Sequence, residues 1–435
     1  MQFGPIRPRV AGSALTNWHF MLLYAAMLVA AAGNTALQSV MPGIGRAIGI
    51  SDFWVTMSYT SSVILWVMFA PFWARQSDLH GRKALTLLGI GGFVVSMFLC
   101  GLALVAGLEG ALAGGATFIL FAIFRAIYGS LGCATPSATQ AYLASRTRRS
   151  ARVTALTALS SSFGLGMIVG PALAPLFVLP LVGLAGPLFA FAAIGIAVFV
   201  AIVLGLPDDQ KPRHGPRAGH GAAMSYPSLA SSPTGASVIA ATSPKMALLK
   251  WHDPRIRRWI IAGVVSGHAQ AATLSCIGFF VIDKLGLAAR GSEQSIAIVM
   301  MAGAAATLAA QWGLMPKLGL SPRAMILAGA VIAALGAVAT MLAGDLYGIV
   351  LGFGVTSLGF GFTRPGFTAG ASLAVPLHQQ GGVAGVVTAA NGIAYVAAPG
   401  IGIALYAIDP HWPFAASAAL LLGLVAWGWR SLSTT

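Results

Sequence analysis

The sequence predicts an all-α, multi-pass membrane protein of twelve transmembrane helices in two pseudo-symmetric six-helix bundles. Three observations carry this reading. Only 8% of the 435 residues are charged and 57% are hydrophobic, whereas a soluble globular protein carries about 25% charged residues. Apolar runs long enough to cross a bilayer, which takes about 20 residues as helix, recur twelve times. A long polar segment divides them six and six, and short sequence echoes relate the two sets. A water-facing surface cannot be built from so few charges, which excludes a soluble enzyme, a nucleic-acid-binding domain and a disordered protein.

Arg7 and Arg9 precede a first apolar run that lacks the small-residue cleavage site of a signal peptide and is long enough to span. Six spans are read near 18–42, 54–74, 84–106, 116–141, 152–176 and 183–206, and six more near 259–282, 295–315, 324–343, 346–374, 382–407 and 412–429. Residues 1–206 are therefore expected to form an N-terminal bundle, 207–256 a cytoplasmic linker and 257–435 a C-terminal bundle. The linker is rich in Pro, Gly and Ser, the composition of a tether. Its end mixes Leu248, Leu249 and Trp251 with basic residues and reads either as more tether or as a short helix on the membrane surface. Cys100, Cys133 and Cys276 fall inside apolar runs without metal or redox spacing and are read as packing residues.

Charge orients the chain. With both termini cytoplasmic, 20 of the 25 Lys and Arg residues fall inside, and only Arg46, Lys284 and Arg290 outside. The positive-inside rule then sets an N-in, C-in topology in a plasma (inner) membrane. The formal net charge of +15 reflects topology, with anionic lipid as its partner and no nucleic acid. The halves echo one another: Gly132-Cys-Ala-Thr-Pro136 in span four matches Gly361-Phe-Thr-Arg-Pro365 in span ten, Thr139 and Thr368 keep the same offset, and Trp73-Ala74 resembles Trp312-Gly313.

Three stretches carry chemistry. Between spans two and three, Asp78, Gly81, Arg82 and Lys83 make an acid, a turn glycine and two cations in a short loop. Gly81 permits the turn, Asp78 can pair with a cation or cap a helix, and the cations can face lipid phosphate. In span four, Arg125-Ala-Ile-Tyr128-Gly129 places a guanidinium well inside the membrane. Leaving it unpaired there costs at least a few kcal/mol, so it requires a polar cavity, a partner or a substrate. In span five, Gly166 and Gly170 give a flat face for close helix contact, and Pro171 and Pro175 remove backbone donors.

Together these stretches resemble the major facilitator superfamily of secondary transporters. Asp78, Gly81, Arg82 and Lys83 match its loop motif, although Ala74 replaces the leading glycine and Leu79 the usual cation. Arg125 and Gly129 match the helix-four motif of proton-coupled members. Gly166, Gly170 and Pro171 match the helix-five antiporter motif, with Ala174 and Pro175 in place of its closing glycines. The resemblance implies two bundles working by alternating access, and it points to the drug:proton antiporter branch, with multidrug resistance as the associated role. No GxxxxGK, HExxH or GxSxG occurs, so neither an ATP site nor an enzyme is indicated, and no cofactor or metal.

None of the ten acids is placed at the midplane; six fall in outer loops or outer span ends. That disfavours a cationic substrate, while Arg125 and Arg364 favour an anionic, zwitterionic or neutral amphipathic one. Asp78, Asp283 and His268 are the candidates for carrying a coupling proton. Asn34 and Gln38, Tyr59, Ser62 and Trp66, Ser266, Gln270 and Thr273, and Thr388, Asn391 and Tyr395 recur at helical spacing and are expected to face the bundle interior. The expected contacts for substrate or coupling are Arg125, Tyr128, Asn34, Gln38, His268, Gln270, Asn391, Tyr395 and Arg364. The expected activity is proton-coupled export of a small amphipathic molecule by a monomer. The alternatives are an importer (symporter) of an organic anion, nutrient or metal chelate, and a transporter-like membrane sensor.

Overall fold

Lipid offers no hydrogen-bond partner to a backbone, so each long apolar run must close its own N–H and C=O groups as helix. The computed structural model bears this out. It describes residues 17–147, 149–208, 252–376 and 380–432. Among these, eleven helices are long and apolar enough to cross a membrane, and a shorter apolar helix, Ser161–Phe177, stands in the place of span five.

The first six spans are built on Asn17–Ala47, Asp52–His80, Arg82–Leu108, Gly114–Ile127 continued by Ala134–Arg146, Arg149–Leu173, and Gly186–Gly205. The second six are built on Pro254–Leu285, Glu293–Leu308, Pro322–Leu342, Leu346–Leu373, Gln380–Ile408 and Trp412–Ser431. The expected surface helix at Leu248, Leu249 and Trp251 lies outside the described residues. Asp253 begins the second set as an N-cap, accepting from the Arg255 backbone N–H at 3.0 Å. The Arg255 guanidinium beside it lowers the Asp253 carboxyl to about 2.

Two spans depart from the plain α-helix expected of them. Span four widens to a π-helical turn over Tyr128–Gly132, and span eight widens over Ala309–Leu314. Pro136 has no N–H for the Gly132 carbonyl four residues back, which favours a break in the α pattern there. The matching Pro365 sits inside a continuous α-helix, so the sequence echo does not carry the wide turn with it. What it does carry is a pair of back-bonds. Thr139 Oγ1 donates to Thr135 O at 2.8 Å, and Thr368 Oγ1 donates to Arg364 O at 3.0 Å, at matching positions. The two tryptophans differ: Trp73 Nε1 donates to Ser130 O at 2.6 Å, while Trp312 is exposed. In span five the helix runs through Pro171 and gives way to a 3₁₀ turn only at Ala174–Phe177, around Pro175.

The halves meet along few elements. Met57 and Val63 of span two pack on Gly400 and Tyr395 of span eleven, Leu308 of span eight on Gly164 of span five, and Pro42 of span one on Gly278 of span seven.

Candidate functional site

Arg125 is the most deeply placed charge in the first half, 2% exposed. Its Nη2 donates to Asn34 Oδ1 of span one. Its guanidinium carbon lies 4.5 Å from the Tyr128 ring centroid and 5.7 Å from that of Tyr59. One amide and two aromatic faces therefore share the positive charge. Nε and Nη1 are buried with no hydrogen-bond partner among the described residues, which leaves two strong donors for a polar guest. The π-helical turn begins at Tyr128, whose ring also packs on Trp66 at 5.4 Å and Phe93 at 5.8 Å. Ser62 Oγ donates to Arg125 O at 3.4 Å and ties span two to this turn.

Beside this centre, spans one, two, seven, eight and eleven border a partly open space of about 640 Å³. Gln38, Tyr59 and Tyr395 line it together with apolar side chains such as Val55, Ile277 and Phe279. Gln38 Oε1 and the hydroxyls of Tyr59 and Tyr395 are buried and lack a hydrogen-bond partner among the described residues. A second space of about 470 Å³ is lined by Thr35, Gln270, Thr273, Thr307 and Ser357 among others. Leu274 and Met300 line both and so stand between them. Apolar walls with a few convergent polar groups are what an organic ligand site requires.

One face of the protein closes over the larger cavity. Arg46, at the end of span one, pairs with Asp283 of span seven through both its Nη atoms, and its Nε and Nη2 also hold Asp52 at 3.1 and 2.7 Å. Tyr406 Oη of span eleven donates to Asp283 Oδ2 at 2.6 Å. Arg46 also stacks 5.5 Å over Phe279, a cavity wall residue. On the same face Asp409 accepts from the His411 backbone N–H and ring, which hold its carboxyl below the usual range. At the opposite face, the bonds given by Lys83, Arg258 and Arg323 each run within a half. Lys83 reaches Asp208 at 2.9 Å and Val203 O at 3.0 Å, Arg258 reaches Ser431 O, and Arg323 reaches Trp429 O.

The structure thus brings Arg125, Asn34 and Tyr128 together, puts Gln38 and Tyr395 on the larger cavity, and Gln270 on the smaller. It does not bring in His268 or Asn391. His268 Nδ1 lies 2.8 Å from Val264 O, and Asn391 Nδ2 donates to Val387 O at 3.0 Å, each within its own helix. Arg364 is buried in span ten. Gly81 takes φ 95°, the turn that only glycine makes easily. Lys83 holds the end of span six where lipid phosphate was expected. The side chain of Asp78 lies outside the described residues, as does that of Thr388. A Cβ on Gly166 or Gly170 would collide with the Leu28 or Ala32 carbonyl oxygen of span one, so this glycine face does make close helix contact. Pro171 is buried on the same helix. Sequence reasoning missed the Arg46–Asp283–Tyr406 cluster. Its signal was present: of three cations assigned outside, Arg46 precedes Asp52 by one short loop and Lys284 follows Asp283.

Comparison with known proteins places the chain. The family model described as Major Facilitator Superfamily matches residues 23–319, well over half of the sequence. Multidrug resistance protein 3 of Bacillus subtilis (strain 168) is 31% identical over 121 residues, which is 27% of this chain and 21% of that protein. The chain therefore spans about a fifth of this relative's length. The crystal structure of the human organic anion transporter MFSD10 (TETRAN) is similar over 94% of this chain and 99% of its own, with a TM-score of 0.62 and 16% identity. That last likeness is one of fold.

Proposed function

The chain belongs to the major facilitator superfamily, and from that premise we propose that it exports an amphipathic organic compound in exchange for protons by alternating access. Its coarser role, a multi-pass membrane transporter of small molecules and not an enzyme, follows from the family. The observation that carries the finer reading is the cavity between the halves, closed on one face by a cross-half ion pair, with the buried Arg125 behind its wall residue Tyr59. Such a cavity changes sides when one half rocks against the other.

Export is supported by the glycine contact of span five on span one and by the short match to a protein named for multidrug resistance. The Lys/Arg asymmetry supports placing the Lys83 face and both termini in the cytoplasm. The Arg46 face is then the outer one, and the described conformation is closed outward. In this reading 1–206 and 257–435 are the moving units, 207–256 is the cytoplasmic tether, the membrane is the plasma (inner) membrane and the working unit is a monomer. A second reading, import of an organic anion, is favoured by the two unused donors of Arg125.

Energised inside-out vesicles separate the two. Accumulation of a fluorescent amphiphile that collapses with the pH gradient is the expected result. Uptake seen only in right-side-out vesicles overturns export in favour of import.

A further inference from the structure

The larger cavity offers polar groups of one kind at two matched places. Tyr59 comes from the first half and Tyr395 from the second, and both line the space with hydroxyls that have no partner among the described residues. Each half also buries an arginine within a span: Arg125 lies 5.7 Å from the Tyr59 ring centroid, and Arg364 is buried in span ten. A guanidinium beside a phenol draws electron density from it and makes its O–H a stronger donor. Among the described residues no Asp, Glu, Lys, Arg or His lines either cavity, so a full charge entering would leave water without an ion to meet it. A cation would also face Arg125 behind Tyr59.

Two other wall hydroxyls are unlike the phenols. Ser275 Oγ donates to Ala272 O at 2.9 Å, and Thr60 Oγ1 donates to Thr56 O at 3.5 Å, so both have given their protons to the backbone. Pro42 and Pro399, also in the wall, have no N–H for the carbonyls of Gln38 and Tyr395 four residues back. The two phenols are thus O–H donors of the wall with no partner among the described residues, one from each half.

Resting on the transporter reading, we propose that Tyr59 and Tyr395 form a clamp, one jaw from each half. It holds the acceptor oxygen of an uncharged, largely apolar substrate, such as a ketone, ether or sulfone, and Arg125 behind Tyr59 excludes cations. A guest held by both jaws bridges the halves and couples its own binding to their closure.

The test is binding of four naphthalenes of one scaffold to the purified protein in nanodiscs, with empty nanodiscs subtracted. They are 2-acetylnaphthalene, 2-ethylnaphthalene, 2-naphthoate and trimethyl(2-naphthyl)ammonium. The ketone is expected to bind about tenfold tighter than the ethyl compound and tighter than either ion. Tyr59→Phe and Tyr395→Phe are each expected to remove most of the ketone's advantage and leave the ethyl compound's affinity unchanged, which also checks that the variants are folded. Equal binding of ketone and ethyl compound, tightest binding by the carboxylate or the ammonium, or no binding at all overturns the clamp. Flux of the ketone in vesicles is read separately. Discrimination without flux retires the transport reading and keeps the clamp, whereas flux insensitive to both tyrosine changes retires the clamp and keeps transport.

Discussion

Contacts inside each half and contacts between the halves are made of different material. Inside, backbone meets backbone. A Cβ on Gly170 would strike the Ala32 carbonyl oxygen, one on Gly359 the Ala333 nitrogen, and one on Gly336 the Thr356 nitrogen. Between the halves, side chains meet, besides a backbone contact of Gly43 in span one against the Ala289 carbonyl oxygen. Arg46 reaches for Asp283, Met57 touches Gly400, and Leu308 touches Gly164. Backbone contacts have no rotamers with which to adjust, and side-chain contacts do. Each half is therefore stiff, and the seam between them is where movement is cheap.

The strongest way to break this contrast is to force a side chain into the stiff part. Gly359→Val is expected to abolish monodisperse protein. Gly359→Ala is expected to lower stability by about 1–3 kcal/mol or more, read as a fall in the thermal midpoint in detergent. Gly354→Ala, on the same helix with nothing within 4 Å of the added carbon, is the control and is expected to leave the midpoint unchanged.

Arg125→Ala comes next. It is expected to reduce flux at least a hundredfold while insertion persists, because a neutral alanine in span four is easier to insert than the arginine it replaces. Wild-type flux in this variant removes the functional role of Arg125.

At the seam, Asp283→Asn removes the ionic link between halves yet leaves Arg46 paired with Asp52. Labelling of a Thr56→Cys reporter in the larger cavity by a water-soluble maleimide added from the Arg46 face is expected to speed up several-fold. An unchanged rate would show that the pair does not hold this face shut. Tyr406→Phe deletes only one hydrogen bond to Asp283, worth about 0.5–1.5 kcal/mol, and the same assay is expected to show a smaller acceleration, roughly threefold.

Much of this was legible in the sequence, for identifiable reasons. Spans depend on apolar length alone, and the glycine face of Gly166 and Gly170 depends on helical spacing alone, so both could be read one helix at a time. Arg125 stood out because a buried charge is costly wherever it falls. The polar stripes were less faithful guides. Ser266, Thr273, His268 and Asn391 turn to carbonyls four residues back in their own helices, a local satisfaction that spacing cannot distinguish from an interhelical one. The Arg46–Asp283 pair joins residues 237 positions apart and depends on how two halves dock, which no local pattern encodes. The wide turn at Tyr128–Gly132 was hidden for a similar reason. Pro136 marks it, yet Pro365 at the echoed position leaves span ten α-helical.

Among the described residues, Leu274 and Met300 stand on the walls of both cavities. A thioether chain has three rotatable bonds and little shape preference, so the wall between the chambers can be redrawn by rotamer exchange without any helix shifting. On the proposed transporter reading, Met300→Ile, with a stiffer branch at the same place, is expected to narrow the range of guest lengths that bind the purified protein.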